Sequence, residues 1–248
     1  MSANSSKNWL VKTGDFFFKW RNYVFPLIIA VLFISFPVPG EYFGQAKLEE
    51  WKDALAITLI LGGLAFRSLT IGWAYIKRGG MNKEVYADTL VRSGLFGICR
   101  NPLYVGNMLV YAGVFVLHGH PFVVLAGIAI YTFIYIAIIA AEEYYLRGKF
   151  DAEYDHYCAE VPRWLPRFSK YRESIRGMNF SFRRSILKDY STIFNAIFAM
   201  ALVEILEHYH FKPETYETAL KFSVSLLILA ATILMIVKYV KKTTNVKV

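Results

Sequence analysis

Cysteine is nearly missing from this chain: Cys99 and Cys158 are the only two in 248 residues. No disulfide framework can therefore organise it, and both thiols fall in segments read below as cytoplasmic, where they stay reduced. Internal repeats and low-complexity linkers are also lacking, so nothing points to a solenoid or to tethered modules. No small-residue cleavage site follows the first apolar run. The polar stretch from Met1 to Arg21, with its mixed Trp and Phe residues, is thus not read as a secretory signal. The Gly-rich strand-to-helix turn that soluble nucleotide-binding folds use is absent as well.

What the chain has in abundance is apolar sequence. Hydrophobic residues make up 56%, aromatics 17%, and the mean hydropathy is +0.35. They fall in long blocks, at Tyr23–Val38, Ala54–Ile76, Pro102–Leu117, Pro121–Ala141, Ser191–Leu206 and Thr218–Tyr239. A bilayer core of roughly 30 Å needs about 20 apolar residues per helix, so six such blocks leave no room for a large soluble catalytic domain. Helices are the expected form, because a lone strand in lipid cannot satisfy its own backbone. The fold class is therefore all-α: a polytopic integral membrane helical bundle of about six spans. It has five if the first block, which carries Pro26 and Pro37 and is short, does not cross. The third and fourth blocks, separated by His118, Gly119 and His120, form a tight antiparallel hairpin.

The formal net charge is +9, which in another context would point to nucleic acid. Here 23 of the 28 Lys and Arg residues fall in alternate loops on one side of the six-span arrangement and three on the other. That asymmetry sets orientation rather than a nucleic-acid surface, with both termini cytoplasmic. Dropping the first block would move only the amino-terminal tail across.

Two polar segments gather on that cytoplasmic side. Tyr86–Gly106 reads YADTLVRSGLFGICRNPLYVG, and Glu142–Phe168 reads EEYYLRGKFDAEYDHYCAEVPRWLPRF. Asn101–Pro102 is a helix start, since Asn can cap free amides and Pro suits the first helical position. Gly106 and Gly113 share a helix face and admit close approach by a helix or a ligand. Ser93–Gly94 supplies a turn whose amides can reach a ligand. Glu142 and Glu143 are costly at a membrane boundary without partners, and Arg147 at the next turn is one candidate. Read alone, this is equally a capped hairpin entrance.

The ordered set is more specific. Arg100-Asn101-Pro102-Leu103-Tyr104-Val105-Gly106, a helical hairpin, Glu142-Glu143, then Phe150, Glu153-Tyr154, Tyr157, Val161-Pro162-Arg163 and Pro166 resembles the isoprenylcysteine carboxyl methyltransferase and phospholipid methyltransferase superfamily. There the pattern is Arg-His-Pro-x-Tyr-x-Gly, a hairpin, a Glu pair and a Val-Pro-Arg-like tail. The resemblance covers about Arg67–Phe168. It implies an integral membrane enzyme dependent on S-adenosylmethionine (SAM), with a lipid or lipidated methyl acceptor, the bilayer as its surroundings and no metal. The division expected is residues 1–66 as tail and first spans, 67–168 as catalytic core, and 169–248 as an interfacial segment with two further spans.

Carried over position by position, the resemblance implies that Asp88, Thr89, Leu90 and Val91 close over SAM mostly through backbone, with Phe96 packing on it. Asn101, Pro102, Leu103 and Tyr104 match the cofactor-contacting run, and Glu142 the cofactor-binding carboxylate. Arg100 and Glu143 are the candidate catalytic residues, Glu143 being the nearest base should the acceptor be an ammonium. Two positions depart from the pattern. Asn101 replaces the motif His and has no titratable ring. Ile138 stands where the carboxyl methyltransferases carry an Arg that reads the substrate carboxylate. Arg67, inside the second block, either substitutes as a substrate-binding charge or snorkels to the interface. The alternatives are a sterol-reductase-like enzyme using NADPH, which shares a similar element, and a non-enzymatic membrane scaffold or transporter.

Overall fold

The computed structural model describes residues 7–40, 46–74 and 85–243, so the part of the Lys77–Arg100 loop before Val85 lies outside the described residues. Its helices are α1 (Trp9–Ser35), α2 (Ala46–Trp73), α3 (Pro102–His118), α4 (Pro121–Phe150), α5 (Ala152–Glu160), α6 (Tyr171–Ser174), α7 (Phe182–Phe211) and α8 (Tyr216–Thr243). Among the described residues no strand occurs, and the protein is an all-α integral membrane bundle. Five helices, α1, α2, α4, α7 and α8, are long and apolar enough to cross a bilayer, and α3 is a shorter apolar helix of 17 residues. At 1.5 Å per residue α3 spans about 25 Å.

The first span differs from expectation. Its helix begins 14 residues before Tyr23, at Trp9, with the Asn8 side chain accepting from the Val11 N–H (2.9 Å). The resulting 27 residues are ample for a crossing, and Pro26 lies inside. Next to it the Tyr131 hydroxyl donates to the Phe25 carbonyl (2.6 Å). A neighbouring helix thus adds a hydrogen bond to the backbone beside the proline.

The helices alternate in direction. Phe36 meets Phe122 at one end of the α1/α4 pair, and Lys7 lies over Tyr144 at the other. The α3–α4 hairpin closes as expected: Gly119 adopts φ +81°, which suits glycine at a helix C-terminus, and Pro121 opens α4. Phe25, Tyr111, Phe115, Tyr131 and Tyr135 fill the centre, ring against ring.

Helix α2 approaches α3 unusually closely, and glycine allows it. A Cβ at Gly63 would stand 2.6 Å from the Gly106 carbonyl oxygen, and one at Gly113 2.7 Å from the Ala56 oxygen. The Gly106/Gly113 face therefore receives a helix rather than a ligand. Helix α7 then clamps the end of α2. Arg184 donates to the Ile71 carbonyl (2.8 Å) and the Gly72 carbonyl (2.5 Å), and Ser185 to that of Ser68 (3.0 Å). The Ile71 and Gly72 carbonyls are among those that a helix end leaves short of partners.

The neighbouring Gly62 has nothing within 4 Å of its Cβ position, which gives an internal control. Gly63→Ala should lower thermal stability in detergent by about 1–3 kcal/mol through overpacking against backbone. Gly62→Ala should be neutral or slightly stabilising; equal effects from the two would contradict the packing described.

Candidate active site

Both polar segments lie at one end of the bundle and pair there through backbone. The Arg100 N–H donates to the Pro162 carbonyl and the Arg167 N–H to that of Ile98, each 2.9 Å. Asn101 occupies the N-cap position of α3, but its side chain caps no amide. Its Nδ2 instead donates to the Arg163 carbonyl (3.0 Å), a correction to the capping role expected of it. Pro102 stands at the first helical position as anticipated. Cys99, sealed beneath this crossing, donates to the Trp164 carbonyl (3.2 Å). Burial pushes its thiol up to about 11, so it is a neutral structural group near pH 7.

On the helices the key contact joins α3 to α4. The Tyr104 hydroxyl donates to Glu142 Oε1 at 2.6 Å, the short distance expected when the acceptor is a carboxylate. A third participant comes from α1: Arg21 acts electrostatically on both Tyr104 and Glu142. Arg21 lies ahead of the first apolar block, so block lengths alone leave it outside the span. The one available signal was an Arg two residues before an apolar block, which any interfacial anchor would also produce.

Glu143 turns the other way. Arg163 grips it in bidentate fashion, Nε to Oε1 at 2.9 Å and Nη2 to Oε2 at 2.7 Å, and Arg100 Nη1 lies 3.4 Å from Oε1. Arg147, the partner offered by helical spacing, is taken by Asp155 (2.8 Å). Both oxygens of the Glu143 carboxylate are engaged by guanidinium groups of the protein itself. The geometry thus speaks for Glu143 as an anchor of the Val161–Arg163 tail. Arg100 also reaches Cys158 Sγ (2.5 Å), and its Nε is buried without a hydrogen-bond partner among the described residues.

The other expected residues are distributed as follows. The segment carrying Asp88, Thr89, Leu90 and Val91 is strapped to the end of α4 and to α5. Lys149 donates to the Ala87 carbonyl and lies over the Tyr86 ring, Leu90 packs on Tyr154 and Tyr157, and Arg92 pairs with Glu153 (3.1 Å). Phe96 is half-buried, its carbonyl bonded to the Tyr157 hydroxyl (2.7 Å). Leu103, in the first turn of α3, accepts from Arg67 through its carbonyl (3.4 Å).

The two expected substrate-binding residues are both buried. Arg67 is 5% exposed and, rather than snorkelling, pairs with Asp189 of α7. Ile138 is fully buried in the core one turn from Glu142. A cavity of about 460 Å³ instead runs along α3 and α4, lined by Val105, Met108, Tyr111, Ala112, Thr132 and Ile136 among others and ending at Trp164 and Leu165. Its lining is almost wholly apolar, and its upper residues adjoin Tyr104 and Arg163.

A membrane-spanning helical bundle with charged side chains converging where its central hairpin leaves the lipid defines a polytopic membrane protein with a composite polar site. Residues 51–153 match the phospholipid methyltransferase family. That segment holds Asn101–Tyr104, Glu142 and Glu143, so the part of this chain that carries the polar site is similar to a membrane methyltransferase domain. The match begins earlier than Arg67 and stops before Val161. Curated relatives include the cobalt-zinc-cadmium resistance protein CzcN of Cupriavidus metallidurans, 29% identical over 156 residues, 62% of this chain and 70% of that protein. The nickel-cobalt-cadmium resistance protein NccN of Alcaligenes xylosoxydans xylosoxydans is 30% identical over 130 residues, 50% and 58% of the respective chains. Protein-S-isoprenylcysteine O-methyltransferase B of Arabidopsis thaliana is 26% identical over 149 residues, 59% and 74%. No solved structure matches significantly.

Arg163→Ala should loosen the tail without dissolving the bundle. Arg163 is about one-third exposed, so solvent screening holds the expected loss to about 1–2 kcal/mol. Limited proteolysis should show faster cleavage within Val161–Phe168, and Arg163→Lys should restore only part of the protection.

Proposed function

We propose that this protein transfers a methyl group from SAM to a lipid acceptor at the cytoplasmic end of the bundle. The observation that carries this reading is the Tyr104–Glu142 pair, which lies within the methyltransferase-matched segment and next to the mouth of an apolar groove. Two features of the site fit SAM. Glu142 offers a carboxylate to an amino or hydroxyl group, and the partnerless Arg100 Nε offers a buried donor to a carboxylate. SAM, when bound, supplies a methyl group already activated on a sulfonium sulfur. The chain's task is alignment: Asn101–Tyr104 and Glu142 hold the donor, while the α3/α4 groove holds the acceptor's apolar chain and excludes water. Glu143 keeps Arg100 and Arg163 in place. The cytoplasmic orientation is supported by the excess of Lys and Arg in the loops at this end.

Acceptor choice follows from where cations are free. Arg67 is saturated by protein partners and Ile138 is apolar and sealed. With Arg21 acting on Glu142 and the free Arg100 Nε assigned to the donor's carboxylate, an anionic head group would meet Glu142 with no further unengaged cation at either expected position, and would pay a desolvation penalty. An amine-bearing or neutral lipid head group avoids it, so an aminophospholipid-type acceptor is favoured over an isoprenylcysteine carboxylate.

The test uses methyl-labelled SAM with paired lipid acceptors, one amine and one prenylated carboxylate, and binding of S-adenosylhomocysteine to purified protein. Glu142→Gln and Tyr104→Phe should each weaken that binding roughly ten- to a hundredfold, as loss of a charge-assisted hydrogen bond does. Preferred turnover of the carboxylate would reverse the acceptor ranking, and protection by NADPH in place of S-adenosylhomocysteine would replace transfer by reduction. For orientation, single cysteines at Thr89 and Ser169 should label only from the cytoplasmic face of intact vesicles. Labelling from opposite faces would separate the two halves of the site.

A further inference from the structure

Arg67 uses all five of its N–H donors, and they reach two different parts of the protein. Toward α7, Nε donates to Asp189 Oδ2 (3.1 Å), and Nη2 to Asp189 Oδ1 and to Thr192 Oγ1 (3.1 Å). Toward α3, Nη1 donates to the Asn107 side chain and to the Leu103 carbonyl (3.4 Å). Asp189 is completely buried, and Thr192 donates back to its Oδ1 (2.9 Å). The guanidinium is planar and rigid, so fixing one edge on Asp189 fixes where the other edge points. That other edge grips the first turn of α3, which carries Asn101–Tyr104. Gly106 leaves room for the arrangement, since a Cβ there would stand 2.5 Å from Arg67 Cγ.

We infer that Asp189 is a positioning residue for the donor site. Lying on α7, outside the methyltransferase-matched segment, it orients Arg67, and Arg67 sets the first turn of α3 and thereby the placement of Tyr104 against Glu142. This assigns a task to α7: it braces the catalytic hairpin from outside the family domain. The inference rests on the reading of Asn101–Tyr104 as donor-binding, and it separates from simple structural glue. Glue requires only that the buried charge be balanced; positioning requires the donor contacts to Leu103 and Asn107.

Asp189→Ala alone strands a buried guanidinium and can fail to fold. The deciding variant is the double Arg67→Met/Asp189→Leu, which removes both charges and retains apolar packing, compared with wild type as the full chain in detergent. Two readouts are taken beside thermal stability: hydrogen exchange of a peptide spanning Arg100–Met108, with Tyr131–Ile138 as control, and S-adenosylhomocysteine affinity. The expected result is a folded protein with Arg100–Met108 exchange raised about tenfold, the control unchanged, and affinity lowered about tenfold. Unchanged exchange, or raised exchange with wild-type affinity, overturns the inference. If the double variant does not fold, Thr192→Val, which removes one guanidinium contact, is held to the same two readouts with a smaller shift of the same sign expected. Wild type that binds no S-adenosylhomocysteine counts against the proposed function, and the exchange comparison still decides whether Asp189 governs the first turn of α3.

Discussion

A guanidinium inside a membrane-spanning helix has to be neutralised and fully hydrogen-bonded, because the lipid around it offers neither charge nor donors and acceptors. Arg67 meets that demand with a carboxylate, a hydroxyl, an amide and a carbonyl drawn from α3 and α7. Three helices are thereby tied at one depth. The glycine contacts that bring α2 against α3 and the carbonyl clamp that Arg184 places on α2 both lie near this tie.

The site itself follows from a division of labour between adjacent carboxylates. Consecutive helical residues point about 100° apart, so Glu142 and Glu143 cannot serve one partner. Glu142 turns toward Tyr104 within the bundle, and Glu143 toward Arg163 and Arg100 at its rim. One is bonded to a neutral hydroxyl, with Arg21 nearby; the other is bound to two cations. Their environments differ enough that one suits a ligand and the other suits holding the tail across the site, as the Pro162–Arg100 and Arg163–Asn101 contacts do on the backbone side.

Much of the architecture was legible in the sequence because the bilayer constrains it so tightly. Block lengths predicted the spans, His118-Gly119-His120-Pro121 predicted the hairpin, and Gly106 with Gly113 predicted a close-packing face. The spacing of Arg100–Gly106 to Glu142–Glu143 announced that two loops would meet. The start of α1 was not legible, since polar and aromatic residues from Trp9 to Arg21 do not form an apolar block even though they continue the helix. Arg21 was lost with it.

By itself the sequence determined that this is a membrane protein of helices, which helices are neighbours through short loops, and which motif carries the methyltransferase likeness; each depends on local composition or on spacing along the chain. Only the tertiary structure decided the partners of the charged groups. Arg67 and Asp189 are 122 residues apart, and Glu143 and Arg163 are 20 apart across a turn of chain. Helical periodicity reaches only three or four residues. An ion pair between separate elements depends on how those elements pack, and that packing is what turned Arg67 from a candidate substrate reader into a structural tie.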